Sequence, residues 1–168
     1  MSLLSQQPLT SERDGEIWYK TRLNTDAVYY EIWKKSLAIA EITGFYTYKA
    51  VVLALQNPLK RWRDLDLEPF IHHAKIISNQ ELYHSKLVAK TFAIPFAELA
   101  PVDHEKTLTE LDLNEHRSLM RFSTILIHSS CLEERALANA LLVDEAYHCW
   151  YTKLLLSTLG CFELPRLG

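Results

Sequence analysis

Two short fragments of this 168-residue chain share a chemistry-bearing pattern: Gln80-Glu81-Leu82-Tyr83-His84 and Asp144-Glu145-Ala146-Tyr147-His148. A glutamate and a histidine three residues apart share one face of a helix, so each pair can present a carboxylate and an imidazole to one metal ion. One such pair arises easily by chance. Two copies on separate helices, joined by a single glutamate from each of two further helices, make the ligand set of a two-metal site inside a helical bundle. Around Glu81 the helical neighbours are Ala74, Ile77, Ser78, Ser85 and Val88; around Glu145 they are Ala138, Leu141, Leu142, Cys149 and Thr152. Both carboxylates therefore belong to core-facing stripes, where an uncompensated charge is expensive and a metal partner is the economical counter-charge.

The two single glutamates are read the same way. Glu41 stands in an apolar stripe with Leu37, Ala38, Phe45 and Tyr48, whereas Glu31 lies nearer a charged helix end. Further along, Glu105, Glu110 and Glu115 compete. Glu110 shares its face with Lys106, Thr107, Leu113, Asn114 and Arg117, and Glu115 shares its face with Leu108, Leu111, Asp112, Leu119 and Phe122, which selects Glu115. The expected assignment places Glu41, Glu81 and His84 on one metal and Glu115, Glu145 and His148 on the other, with Glu81 and Glu145 bridging. Ligands of oxygen and one imidazole per ion, without thiolate, suit iron or manganese. Asp144 is placed to orient a ligand histidine, and its neutral counterpart Gln80 is expected to make no such contact.

Four periodic segments must carry these residues: about Thr25–Leu55, Leu67–Phe92, Glu105–Ile127 and a last one ending near Leu159. Asn57-Pro58 ends the first, Asp66 caps the second, Ser130 with Glu133 forms a capping box for the fourth, and Gly160 stops it. The expected fold class is all-α: an antiparallel up-down-up-down four-helix bundle with an N-terminal arm. It forms one domain over 1–168, with the arm at 1–24, the bundle at 25–159 and a tail at 160–168. In antiparallel hairpins, residues of equal height are equidistant from the turn. The midpoints of successive glutamates fall at Arg61, Glu98 and Ser130, each inside an expected connection, so all four carboxylates are expected in one layer.

Composition excludes several classes. A hydrophobic share of 48% with 23% charged residues is that of a globular domain, and a net charge of −3 gives no basic footprint for nucleic acid. Cys131, Cys149 and Cys161 lack any Cys-x-x-Cys spacing, which argues against a disulfide framework or thiolate zinc site and for a reducing, cytoplasmic location. No signal-peptide pattern and no uninterrupted apolar run of bilayer length is expected, hence no membrane partner. Tyr83 and Tyr147 point away from the Glu/His faces, and the aromatic residues Trp18, Tyr19, Tyr29, Tyr30 and Trp33 fit either a homodimer face or buried packing.

With these residues placed, the chain over about 25–159 resembles the ferritin-like di-iron carboxylate superfamily. The run Val143-Asp144-Glu145-Ala146-Tyr147-His148 is similar to the Asp-Glu-x-x-His signature of its oxygen-activating members, nearest the p-aminobenzoate N-oxygenase type. That type carries a further histidine four residues before its last Glu-x-x-His, where this chain has Leu141. The resemblance implies two iron ions (or manganese), dioxygen as co-substrate, an electron donor or reductase, and oxidation of a small organic substrate such as an amine. The superfamily also implies two alternatives, a ferroxidase or iron-handling protein and a bundle whose metal is purely structural.

Overall fold

The computed structural model describes residues 27–167, with side chains from Ile32 onward. The arm at 1–24 with Trp18 and Tyr19 lies outside the described residues, as do the side chains of Tyr29, Tyr30 and Glu31. The described residues form four helices: α1 (Ala27–Gln56), α2 (Glu68–Thr91), α3 (Leu108–His128) and α4 (Leu132–Leu159). Two single-turn 3-10 helices, Lys60–Trp62 and Phe96–Glu98, sit in the connections. The only β pairing among the described residues is one isolated bridge between Thr107 and Glu163.

Local chemistry accounts for most helix ends. Asn57-Pro58 follows α1 directly, and proline cannot continue a helix. At the start of α2 the Asp66 carboxylate accepts the backbone N–H of Glu68 at 3.1 Å, with Pro69 tolerated in the first turn. Helix α3 begins three residues later than the sequence suggests. Thr107 accepts the Glu110 N–H at 3.2 Å, and the Glu110 carboxylate accepts the Lys106 N–H at 2.8 Å. The capping box expected from Ser130 and Glu133 does not form. Cys131 occupies the cap position, and the hydroxyl of Ser129 instead donates to Glu134 at 2.8 Å while accepting the Cys131 N–H. Gly160 takes a φ of 72°, the left-handed conformation that ends α4.

Contacts along the helices set their directions. Between α1 and α2, Lys34 meets Phe92, Glu41 meets His84 and Phe45 meets Ser78, so this pair is a hairpin. Between α3 and α4, Thr109 meets Cys161, Asp112 meets Thr152 and Glu115 meets His148, a second hairpin. Between α2 and α4, Phe70 meets Tyr151, His73 meets Tyr147 and Gln80 meets Asp144, so these two also run oppositely. Strict up-down-up-down order would make α2 and α4 parallel, and that expectation is corrected. Helices α2 and α3 begin at the same end, and residues 92–107 return along the whole bundle between them. Sixteen residues can span roughly 50 Å extended, more than the roughly 36 Å of a 24-residue helix such as α2.

Two apolar clusters bracket the middle of the bundle. One joins Tyr48, Val51 and Leu55 of α1 with Ile71 and Ile77 of α2, Leu108 and Leu111 of α3, and Tyr151 and Leu155 of α4. Trp62 closes this end, its indole N–H donating to Leu159 O at 3.1 Å and its ring meeting Phe162 edge-on. The other cluster joins Trp33 and Leu37 with Val88, Phe122, Ile125, Leu137 and Leu141. The polar layer lies between them. The stretch Ile32–Gln56 of α1 is long and apolar enough by composition to cross a bilayer, which the sequence reading did not expect. Half of its most apolar window is buried in the fold, and it carries Glu41 at the polar layer.

Candidate metal centre

Each helix contributes to one buried polar layer: Glu41 from α1, Glu81 and His84 from α2, Glu115 from α3, and Glu145 and His148 from α4. All six are buried, none more than 5% exposed. Their ligand atoms fall into two overlapping groups, each compact enough to hold one ion: Glu41, Glu81, His84 and Glu145, and Glu81, Glu115, Glu145 and His148. Glu81 and Glu145 belong to both, which is the arrangement of two bridging carboxylates. The competitors fall elsewhere. Glu110 is exposed, and Glu105 accepts hydrogen bonds from Thr47 and Asn114.

The midpoint geometry that placed these carboxylates in one layer holds for the two hairpins, α1–α2 and α3–α4. It does not apply across the crossover, where α2 and α3 run in the same direction.

The imidazoles are held from behind by reciprocal contacts. His84 Nε2 lies 2.9 Å from Asp144 Oδ2, and His148 Nε2 lies 2.9 Å from Gln80 Oε1. A carboxylate only accepts, so His84 carries a proton on Nε2 and turns Nδ1 to the centre. The Gln80 amide orients itself by the same logic: its NH2 faces Asp144 Oδ1 at 3.4 Å, leaving its carbonyl to accept from His148. The residue before each glutamate thus orients the histidine of the opposite helix. Gln80 makes the contact that its neutrality had argued against, because an amide carbonyl accepts from an imidazole N–H as a carboxylate does.

On the inner side the atoms crowd and only some are satisfied, His84 Nδ1 and Glu41 Oε2 by each other. His84 Nδ1 is 3.3 Å from Glu41 Oε2 and 3.4 Å from Glu145 Oε1; His148 Nδ1 is 2.9 Å from Glu81 Oε1 and 3.3 Å from Glu115 Oε2. Yet His148 Nδ1, Glu115 Oε2 and both Glu145 oxygens are buried with no aligned hydrogen bond. Those four atoms lie close to other polar atoms of the layer without an aligned partner. Orphaned buried groups are costly, and a cation between them satisfies them together, so the residues present fit a pair of metal ions.

The electrostatics agree. Burial, then the carboxylates of Glu41, Glu115 and Glu145, push Glu81 well above the usual carboxylate range. Burial, then Glu41, raises Glu145 to about 8. Burial pulls His84 and His148 down, but hydrogen bonds and charge from the surrounding glutamates outweigh it and raise them to about 11 and about 9. Burial also opposes ionisation of Glu41, yet His84 and its neighbours draw it below its ordinary value. Without a metal the layer holds protons in order to hold together.

Two residues beside the layer carry weight that spacing alone did not reveal. A Cβ on Gly44 would stand 2.6 Å from Glu81 Oε2 and 2.8 Å from its Cδ, so the glycine lets the carboxylate lie against the α1 backbone. The Tyr48 hydroxyl is buried beside the layer with no hydrogen-bond partner, its ring 6.0 Å from that of His148. Burial and Glu115 push its pKa well up, so it stays a phenol. Burial likewise lifts Cys149 to about 12, which keeps it an unreactive thiol. Tyr83 points outward at 62% exposed, and the half-buried Tyr147 bonds to His73. A surface groove of about 820 Å³ lies between the crossover and the tail, lined by Tyr46, Val102, His104, Lys106, Glu163 and Arg166; it includes none of the six.

No protein-family model matches the chain, and neither a curated protein nor a solved structure matches it.

Proposed function

We propose that this chain is a ferritin-like non-haem di-iron oxidase or monooxygenase that uses dioxygen to oxidise a small organic substrate. The observation that carries the reading is the pair of overlapping, buried ligand sets sharing Glu81 and Glu145, in which both Glu145 oxygens, Glu115 Oε2 and His148 Nδ1 have no hydrogen-bond partner. The crossover between two antiparallel hairpins supports a ferritin-like arrangement.

In this reading Glu41 and His84 would hold one ion and Glu115 and His148 the other, with Glu81 and Glu145 available to both. Oxygen and imidazole donors without thiolate favour iron or manganese. Bound, the ion pair supplies the electrons that reduce dioxygen and the oxidising power that side chains lack. The chain supplies the rest. Asp144 and Gln80 fix both imidazoles with Nδ1 inward, and the apolar clusters on either side exclude bulk water. Gly44 gives the Glu81 carboxylate its place. The reading also calls for an external electron donor.

The test is anaerobic loading with ferrous iron, followed by oxygen. The proposal expects two irons per chain and oxygen consumption that stops in Glu145→Ala. Wild-type iron uptake in that variant would overturn it. Oxygen consumption that accumulates ferric mineral and ignores every organic substrate would favour the ferroxidase alternative.

A further inference from the structure

Helices α2 and α4 present a joint face to solvent that carries little charge. Along α4 the exposed residues Leu132, Ala136, Asn139, Val143, Ala146 and Trp150 recur at alternating steps of four and three. Along α2 the exposed residues His72, Ile76, Asn79 and Tyr83 follow the same rule. Neither row contains an acid, a lysine or an arginine. This alternation is the narrow seam along which one helix packs lengthwise against another. The two rows are neighbours, because His73 meets Tyr147 and Trp150, and Gln80 meets Asp144, in the joint between them. Among the described residues the three most exposed large apolar side chains are Leu132 at 81%, Val143 at 75% and Tyr83 at 62%, and all three lie on this face. Single exposed apolar residues are ordinary on a protein surface, whereas contiguous rows of them mark an interaction surface.

Composition and size point to the occupant. Few charges, with aromatic residues among the apolar ones, is the make-up of an interface core, and exposed charged residues such as Lys90, Glu133, Arg135 and Lys153 stand at its edges as a rim. Leu132 to Trp150 on α4, and His72 to Lys90 on α2, each rise roughly 27 Å, and two helices side by side are roughly 20 Å wide, a footprint of about 540 Å². Two copies together then bury about 1,100 Å², which clears the floor of about 1,000 Å² for a specific interface. An isologous contact requires one patch that is complementary to itself. Both rows follow one spacing, so a second copy supplies the matching seams from the same residues.

We propose that this chain forms a two-fold homodimer through the α2–α4 face, with the seams of one copy packed against those of the other. The contact covers Asp144, whose side chain is 33% exposed in the single chain, and the half-buried Gln80 beside it. These two residues hold the imidazoles of His84 and His148 from behind, so the second copy shuts water out of the hydrogen bonds that orient the layer. The dimer does not depend on the di-iron reading and is tested without metal.

Sedimentation equilibrium of the metal-free full chain at micromolar concentration is expected to give twice the chain mass. Val143→Glu and Tyr83→Glu each place a charge in a seam, one on each helix, at an exposed position where the fold tolerates it; circular dichroism checks that it does. Each is expected to weaken association at least about tenfold, because two copies then bury unpaired carboxylates. Leu113→Glu, on an exposed part of α3 away from this face, is expected to leave association unchanged. A wild-type monomer at these concentrations overturns the proposal and leaves the face to the N-terminal arm or to another protein. A dimer that persists unchanged in both Val143→Glu and Tyr83→Glu, or that Leu113→Glu weakens as much as they do, overturns it as well.

Discussion

Replacing Gly44 by alanine separates a role in the fold from a role in the centre. An alanine in mid-helix is favoured over glycine by about 1 kcal/mol, so on helix propensity alone the variant gains stability. The new Cβ, however, would lie 2.6 Å from Glu81 Oε2, against the 3.4 Å at which ordinary contact begins, so the carboxylate must retreat by about 0.8 Å. A glutamate can retreat by turning its outer torsions, at about 0.5–1.5 kcal/mol if it leaves a rotamer well. The two effects roughly cancel, and the metal-free variant is expected to melt within a few degrees of the parent. Ligation tolerates far less, since metal–ligand distances are held within about 0.2 Å. A displaced bridging carboxylate loses at least one ion, and metal affinity is expected to fall by about 10–100-fold, the scale on which misoriented ligands cost. Calorimetric titration with Mn(II), beside thermal melts with and without metal, reads both quantities. Wild-type affinity for two ions together with a gain of stability near 1 kcal/mol would refute the reasoning.

Other perturbations follow from the same geometry. Asp144→Ala leaves His84 Nε2 without its acceptor and is expected to weaken metal binding about 10–100-fold, whereas Asp144→Asn retains most of it; equal affinities in a titration would contradict this. In the metal-free protein, folded pKa values of about 8 for Glu145, about 9 for His148 and about 11 for His84 all lie above their unfolded values. The native state thus binds more protons, so these groups stabilise it most at low pH, and that stability is lost as pH rises through 8 to 11. Calorimetry from pH 6 to 10 is expected to show the metal-free melting temperature falling. Metal binding is expected to release protons, measurable as a buffer-dependent binding enthalpy. A melting temperature that climbs over this range would be inconsistent with the protonated layer. Trp62→Ala opens the end of the bundle where the indole packs on Phe162 and bonds to Leu159, and is expected to cost about 3–5 kcal/mol in urea unfolding.

What the chain disclosed before its structure was known depended on distance along the sequence. The Glu-x-x-His pairs and the apolar stripes around Glu41 and Glu115 are local, because helical periodicity alone decides which face a residue occupies. All six residues meet in the structure. Direction is not local: the segment 92–107 is compatible with a short return or with a full-length crossover, and the periodicity of α2 and α3 is the same either way. Gly44 stands three residues after Glu41, but its role depends on where another helix places the Glu81 carboxylate, which spacing along α1 does not show. Gln80 occupied the same position before its glutamate as Asp144 does, and that equivalence was the available signal; charge was the wrong criterion for a hydrogen-bond acceptor.

Anomalous diffraction from iron-loaded crystals tests the central claim most directly. Two iron peaks roughly 3.5–4 Å apart, the usual spacing of paired catalytic metals, are expected with Glu81 and Glu145 spanning both, Glu41 and His84 on one, and Glu115 and His148 on the other. A single peak, or iron bound away from these six residues, would contradict it.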